Sequence, residues 1–208
     1  MNKHLIPLVL LLCLLSSCSH FSLYQDAKTI GKGNASIGST LSLNGVSDAE
    51  EVADEILPNV SIFGSYGITN KLEAQLKIGL GNIVIIPKFQ ILGNEESKFF
   101  VALNPAINLE NDLRTNNDTT NPRVNYSGIL SYHPTKEFSI FIEPQYIAEY
   151  RRENEANEFL RGGNFGIFIR TDSPFDLSFG GSLFQEQVSG KFIYQFGVGF
   201  RYIRPFRK

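Results

Sequence analysis

Past the leading apolar run, this 208-residue chain keeps two histidines, His20 and His133. A catalytic imidazole needs a positioned partner and a cleft. His20 stands in a polar stretch, and His133 opens the turn-forming run Pro134-Thr135-Lys136. No G-x-S-x-G occurs, and Gly31-Lys32-Gly33 lacks the strand–turn–helix context of a phosphate loop. The residues therefore argue against an enzyme, and they imply neither a cofactor nor a metal site. What remains is charge. Glu73, Glu143, Glu149 and Asp176 face Lys77, Lys88, Arg170 and Arg201 in type and number. Equal numbers of opposite charges gathered on one surface pair with each other, whereas an ion-selective path carries one sign. The net charge of −2 removes any broad case for nucleic-acid binding, and 42% hydrophobic content excludes a disordered chain.

The first residues are an address. Lys3 supplies a positive start, and Leu5 to Leu15 is an apolar run too short to span a bilayer. Leu15-Ser16-Ser17-Cys18 resembles the lipobox of bacterial lipoproteins. That resemblance implies a signal peptide at 1–17, handling by lipoprotein-processing enzymes, and a covalent lipid on Cys18. Ser19 follows, so no Asp resembles the inner-membrane retention signal, and the implied destination is the bacterial outer membrane. Cleavage removes Cys13 and lipidation uses Cys18, which leaves no free thiol for an oxidising compartment. Residues 18–28 are expected as a lipidated tether and 29–208 as one barrel domain.

Period-two alternation dominates the rest. Phe192, Tyr194, Phe196, Val198, Phe200 and Tyr202 alternate with Ile193, Gln195, Gly197, Gly199 and Arg201. Leu72, Ala74, Leu76 and Ile78 alternate likewise with Glu73, Gln75 and Lys77. Such segments fall at about 30–43, 58–68, 71–80, 82–92, 98–109, 123–133, 137–150, 159–170, 174–185 and 190–203. Tight turns alternate with longer or more acidic connections. This predicts an all-β fold: a closed, antiparallel, up-and-down transmembrane barrel of ten strands, with eight or twelve as the adjacent even counts. Tyr66, Tyr132, Phe138, Phe175 and Tyr202 fall at tight-turn ends. Tyr126, Tyr146, Tyr150, Phe159 and Tyr194 fall at loop ends, giving two interfacial belts. The eight charges then point into the lumen, where mutual pairing predicts a filled interior with little or no conductance.

Gln195-Phe196-Gly197-Val198-Gly199-Phe200-Arg201-Tyr202 resembles the β-signal of outer-membrane proteins, carried by Gln195, Gly197, Phe200 and Tyr202. It implies outer-membrane lipids and the barrel-assembly machinery as partners. Ile203 to Lys208 follow the signal, a departure from its usual terminal place.

Two features fit this picture poorly. Pro87, Pro105 and Pro144 fall inside strands, where each removes a ladder hydrogen bond. Arg161 falls on the lipid-facing side. A tethered soluble barrel resembling lipocalins would accept both and is the alternative, with a narrow porin-like channel as another. Ser47-Asp48-Ala49-Glu50 has capping-box spacing, and the run to Leu57 is expected as a short helix on the rim. The polar 110–122 connection and Glu153, Glu155 and Glu158 are expected as solvated loops.

Overall fold

The computed structural model describes residues 25–47, 57–79, 82–111, 120–150, 158–171 and 174–205. Their alternating segments form β1 (Asn34–Ser47), β2 (Leu57–Gly67), β3 (Leu72–Gly79), β4 (Asn82–Leu92), β5 (Phe99–Leu103), β6 (Ala106–Asn111), β7 (Thr120–Tyr132), β8 (Phe138–Glu149), β9 (Glu158–Arg170), β10 (Phe175–Glu186) and β11 (Phe192–Pro205). Every pairing is antiparallel. β11 returns to β1 along its whole length, from Asn34 opposite Pro205 to Ser47 opposite Phe192. β5 and β6 lie end to end between β4 and β7, as two halves of one stave. Among the described residues, ten staves thus close into an up-and-down barrel.

Alternation decides which way each row faces. Outside, Ile62 and Phe196 are each 58% exposed, and Ile37, Leu41, Phe165 and Leu183 share their side. Inside, Lys88 is 1% exposed and Glu143 fully buried. Charges inside and greasy side chains outside invert the order of a protein surrounded by water. The tethered soluble carrier requires the opposite facing and is thereby excluded. Aromatic rings gather at both ends of the outer wall. Phe99 stacks on Tyr132 at 4.7 Å near the tight turns, and Tyr146 on Phe159 at 5.9 Å near the loops.

The prolines are accommodated by gaps in the ladder. Asn104 and Pro105 interrupt the stave expected at 98–109, which splits into β5 and β6. Phe89 faces Leu103 and Ile85 faces Ile107, so the register places Pro87 directly opposite Pro105. The Asn104 N–H donates to Ser127 O at 2.9 Å, so its neighbour Pro105 turns its missing donor toward β4. Two prolines therefore spoil one rung instead of two. Pro144 sits at a similar gap, where the β7–β8 pairing skips from Ser127–Gln145 to Leu130–Ile142.

The first strand begins later than expected. Gly31 and Gly33 have φ of 83° and 74°, the left-handed region, and turn the chain before β1. Gln25, Asp26 and Ala27, expected in the tether, instead enter the barrel and are buried, as is Thr29 at the expected start of the barrel domain. The correction has a physical reason, since Asp26 finds a guanidinium inside that no bulk solvent supplies. Cys18, the signal segment, most of the expected rim helix and the centres of the 110–122 and 151–158 connections lie outside the described residues.

Candidate functional site

The lumen is built in layers, and the strap 25–30 lies inside its tight-turn end. Asp26 is its centre. Arg170 Nη2, from the end of β9, donates to Asp26 Oδ2, and His133 Nε2 lies 3.0 Å from Asp26 Oδ1. Lys88 Nζ donates to the carbonyls of Asp26 and Lys28 at 3.2 and 3.3 Å. Thr29 N–H donates to Gln90 Oε1 at 3.0 Å, and Ile30 N–H to Glu73 Oε2 at 3.0 Å. The Gln25 amide donates to Gln75 Oε1. Ala27 packs among Phe100, Ala102, Ile129, Phe141 and Phe168, one of three buried apolar clusters in the lumen, the others being Ile147, Leu160 and Phe184, and Val84, Ile86 and Ala106.

Asp26, His133 and Ser131 look at first like a nucleophile–base–acid set. The geometry argues otherwise. Ser131 Oγ lies 3.2 Å from His133 Nε2, the nitrogen that already meets Asp26. In a working triad, carboxylate and hydroxyl occupy opposite ring nitrogens. Here Arg170 Nη1 faces Nδ1 at 3.4 Å, so Nδ1 accepts and the proton sits on Nε2, donated to Asp26. The imidazole is a structural link.

The sequence-derived charges sort into pairs and exceptions. Glu73 meets Lys88 at 2.9 Å, and Asp176 accepts from Arg201 Nε at 3.1 Å and Nη2 at 2.5 Å. Glu149 accepts from Arg123 Nε at 2.7 Å, and Arg170 holds Asp26. Arg123 and Asp26 were not among the expected lumen charges. Arg123 shares the alternating polar row of Asn125, Ser127 and Ser131, a signal that could have placed it, whereas Asp26 precedes any periodic segment and carries none. Glu143 has neutral hydrogen-bond partners. Its carboxylate accepts from Asn104 Nδ2 at 2.9 Å, Ser127 Oγ at 2.8 Å and Asn164 Nδ2 at 2.8 Å. Lys77, also buried, attracts Glu143 through space.

Toward the loops, amide side chains line the lumen beside Lys77 and the Arg123–Glu149 pair. Asn44, Asn82, Asn108, Asn125 and Gln145 are all buried. Of the expected assembly residues, Gln195 points inward and donates to Ser42 Oγ at 2.5 Å. Gly197 faces Ser42 and Gly180, while Phe200 and Tyr202 flank Phe175 on the outer wall at 5.1 and 5.0 Å. Among the described residues, no group of three or more His, Cys, Asp or Glu side chains could hold a metal. Beside the strap, Gln25, Glu73, Gln75, Lys88, Asp176 and Arg201 line a cavity of about 10 Å³, room for about one water.

This is the architecture of the small outer-membrane β-barrels. The NanC porin superposes with a TM-score of 0.51 at 10% identity, over 79% of this chain and 98% of its own. An outer-membrane channel from Pseudomonas putida F1 gives 0.53 at 12% identity, over 89% of this chain and 100% of its own. At such identities the likeness is one of fold. No family model matches the chain, and no curated protein matches its sequence.

Proposed function

We propose that the chain is a lipid-anchored protein of the bacterial outer membrane, closed at rest, whose role is structural or interactive at its loop end. In this reading the chain is cleaved before Cys18, which takes the lipid, and the assembly machinery reads Gln195, Gly197, Phe200 and Tyr202. One observation carries it: a lumen occupied by buried side chains and by the chain's own Gln25–Thr29, inside a wall whose outer rows are apolar. The protein pairs its charges between neighbouring staves and with the strap, and leaves room for about one water beside the strap.

The test is threefold. Purified protein is expected to migrate differently on gels before and after boiling, to take up radiolabelled palmitate through Cys18 and lose it in Cys18→Ser, and to give no steady current in planar bilayers. Sustained unitary currents from the unmodified protein would favour the second reading, a narrow channel. The fold shared with a porin and a channel makes that reading the natural rival.

A further inference from the structure

The strap is attached to the barrel without being part of its sheet. Residues 25–30 belong to no strand. Lys28 N–H donates to Asp26 Oδ1, Thr29 N–H to Gln90 and Ile30 N–H to Glu73, while the Asp26 and Lys28 carbonyls accept from Lys88. Side chains thus satisfy these backbone groups, and no rung of the ladder would break if the strap left. Among the described strap residues, Ala27 alone adds a side chain to the buried apolar cluster. A single methyl is the smallest apolar group a side chain can bury, and its contribution is correspondingly small. The hold is therefore mainly electrostatic, centred on Asp26.

The exit is hinged. Gly31 and Gly33 take left-handed φ, and the Gly33 N–H donates to Gly67 O at 2.8 Å where the ladder proper begins. A Cβ on Gly67 would fall 1.8 Å from Gly31 O, so the strap crosses the barrel rim at an approach that only glycine permits.

The lumen beyond is lopsided. At mid-height β10, β11 and β1 turn Ser178, Ser182, Gly197, Gly199, Thr40 and Ser42 inward, between the Asp176–Arg201 pair at the strap end and Phe184 near the loops. The facing wall carries Lys88, Phe100, Ile129, Phe141 and Glu143. The middle of the β10–β11–β1 wall is therefore lined by small side chains, while its ends carry large ones. The one-water cavity beside Gln25 lies between Ser178 on the small-residue wall and Lys88 on the other.

We propose that the strap 25–30 is a stopper, clasped by Asp26 on Arg170 and His133, and that unseating it opens a narrow path for small ions and hydrophilic solutes along the serine- and glycine-lined middle of β10, β11 and β1 and past Phe184 at the loop end. The inference rests on the barrel being closed at rest, and it assigns that closure to one removable segment.

Planar-bilayer recording on full-length protein tests it, with heat-modifiable gel migration as the check that each variant is folded. Unmodified protein is expected to be silent. Asp26→Arg, which sets a cation against Arg170, and a deletion of residues 25–28 are expected to give unitary current steps. The charge swap Asp26→Arg with Arg170→Asp is expected to reduce open time at least tenfold relative to Asp26→Arg alone. Folded Asp26→Arg and deletion proteins that stay silent would overturn the stopper, because closure would then lie in the barrel wall. Currents unchanged by the swap would overturn the clasp. Steady currents from unmodified protein would instead overturn closure at rest, a distinct failure. Should the deletion not assemble, Asp26→Arg and the swap decide alone.

Discussion

Asp26 and Arg170, 144 positions apart in the chain, meet inside the tight-turn end of the barrel. The carboxylate is 1% exposed and the guanidinium side chain 20%, so the pair is largely withdrawn from water. Breaking such a pair strands a charge, which costs about 3–5 kcal/mol when fully buried and less where solvent reaches the cation. Asp26→Ala is therefore expected to destabilise the barrel by about 2 kcal/mol in urea unfolding from micelles. Asp26→Ala combined with Arg170→Met is expected to lose less than the two single changes added together. Additive losses would mean the two groups do not act as a pair.

Glu143 makes a different prediction because neutral donors surround it. Glu143→Leu would leave the Asn104 and Asn164 amides without their acceptor, at about 1–3 kcal/mol for each group left unsatisfied, while the Ser127 hydroxyl still has Asn104 O at 2.8 Å. Glu143→Gln keeps one acceptor oxygen and adds an amide donor. Asn164 Oδ1, buried and without a hydrogen-bond partner, can receive that donor after a flip of its own amide. The expected order of urea midpoints is the unmodified protein and Glu143→Gln close together, with Glu143→Leu well below. A glutamine variant as unstable as leucine would show that the negative charge itself is required.

The staves, their facing and the lumen placement of Glu73, Lys77, Lys88, Glu143, Glu149, Arg170, Asp176 and Arg201 were legible because a strand has period two. One glance at Leu72 to Ile78 fixes which side Glu73 takes. Three things were not legible. The strap 25–30 has no period, and its partners lie far along the chain, at Gln75, Gln90, His133 and Arg170. The pairing of Pro87 with Pro105 depends on register between two staves, which alternation in one stave does not encode. Glu143 reads as a charge in search of a cation, and only the closed barrel brings Asn104, Ser127 and Asn164 around it.

His133 lies in the turn after β7, outside the spanning strands. Burial, and then the nearby Lys28 ammonium, pull its imidazole down to about 4. The groups facing it are Asp26 from the strap, Lys28 from the strap, and Arg170 from β9. An ordinary imidazole takes its proton near pH 6.5. Between that value and 4 the unfolded chain binds a proton that the folded chain refuses, so stability is full above about 6.5 and falls as pH drops toward 4. Protonation would also put an N–H at Nδ1, against Arg170. Melting in detergent is expected to fall across this window, and His133→Gln is expected to flatten the fall. An unchanged slope in that variant would assign the acid sensitivity elsewhere.

Arg161 is a cation on the outer wall, and its neighbours say where it sits. It is paired across the sheet with Tyr146 on one side and Gln185 on the other, and Tyr146 is paired with Tyr126. Its Nη2 donates to Gln185 Oε1 at 3.1 Å, and Phe159, two residues before it, stacks on Tyr146. Arg161 is the fourth residue of β9, at the loop end among aromatic rings that suit headgroup level. At the hydrocarbon midplane an arginine costs about 2–4 kcal/mol, and near the interface about 0–1. Arg161→Leu is thus expected to change folding free energy into lipid vesicles by less than about 1 kcal/mol. Phe196→Arg, deeper on the same wall, is expected to cost about 2–4 kcal/mol. A stabilisation of about 2 kcal/mol or more on removing Arg161, the midplane cost, would place it within the acyl chains and move the membrane boundary toward the loops.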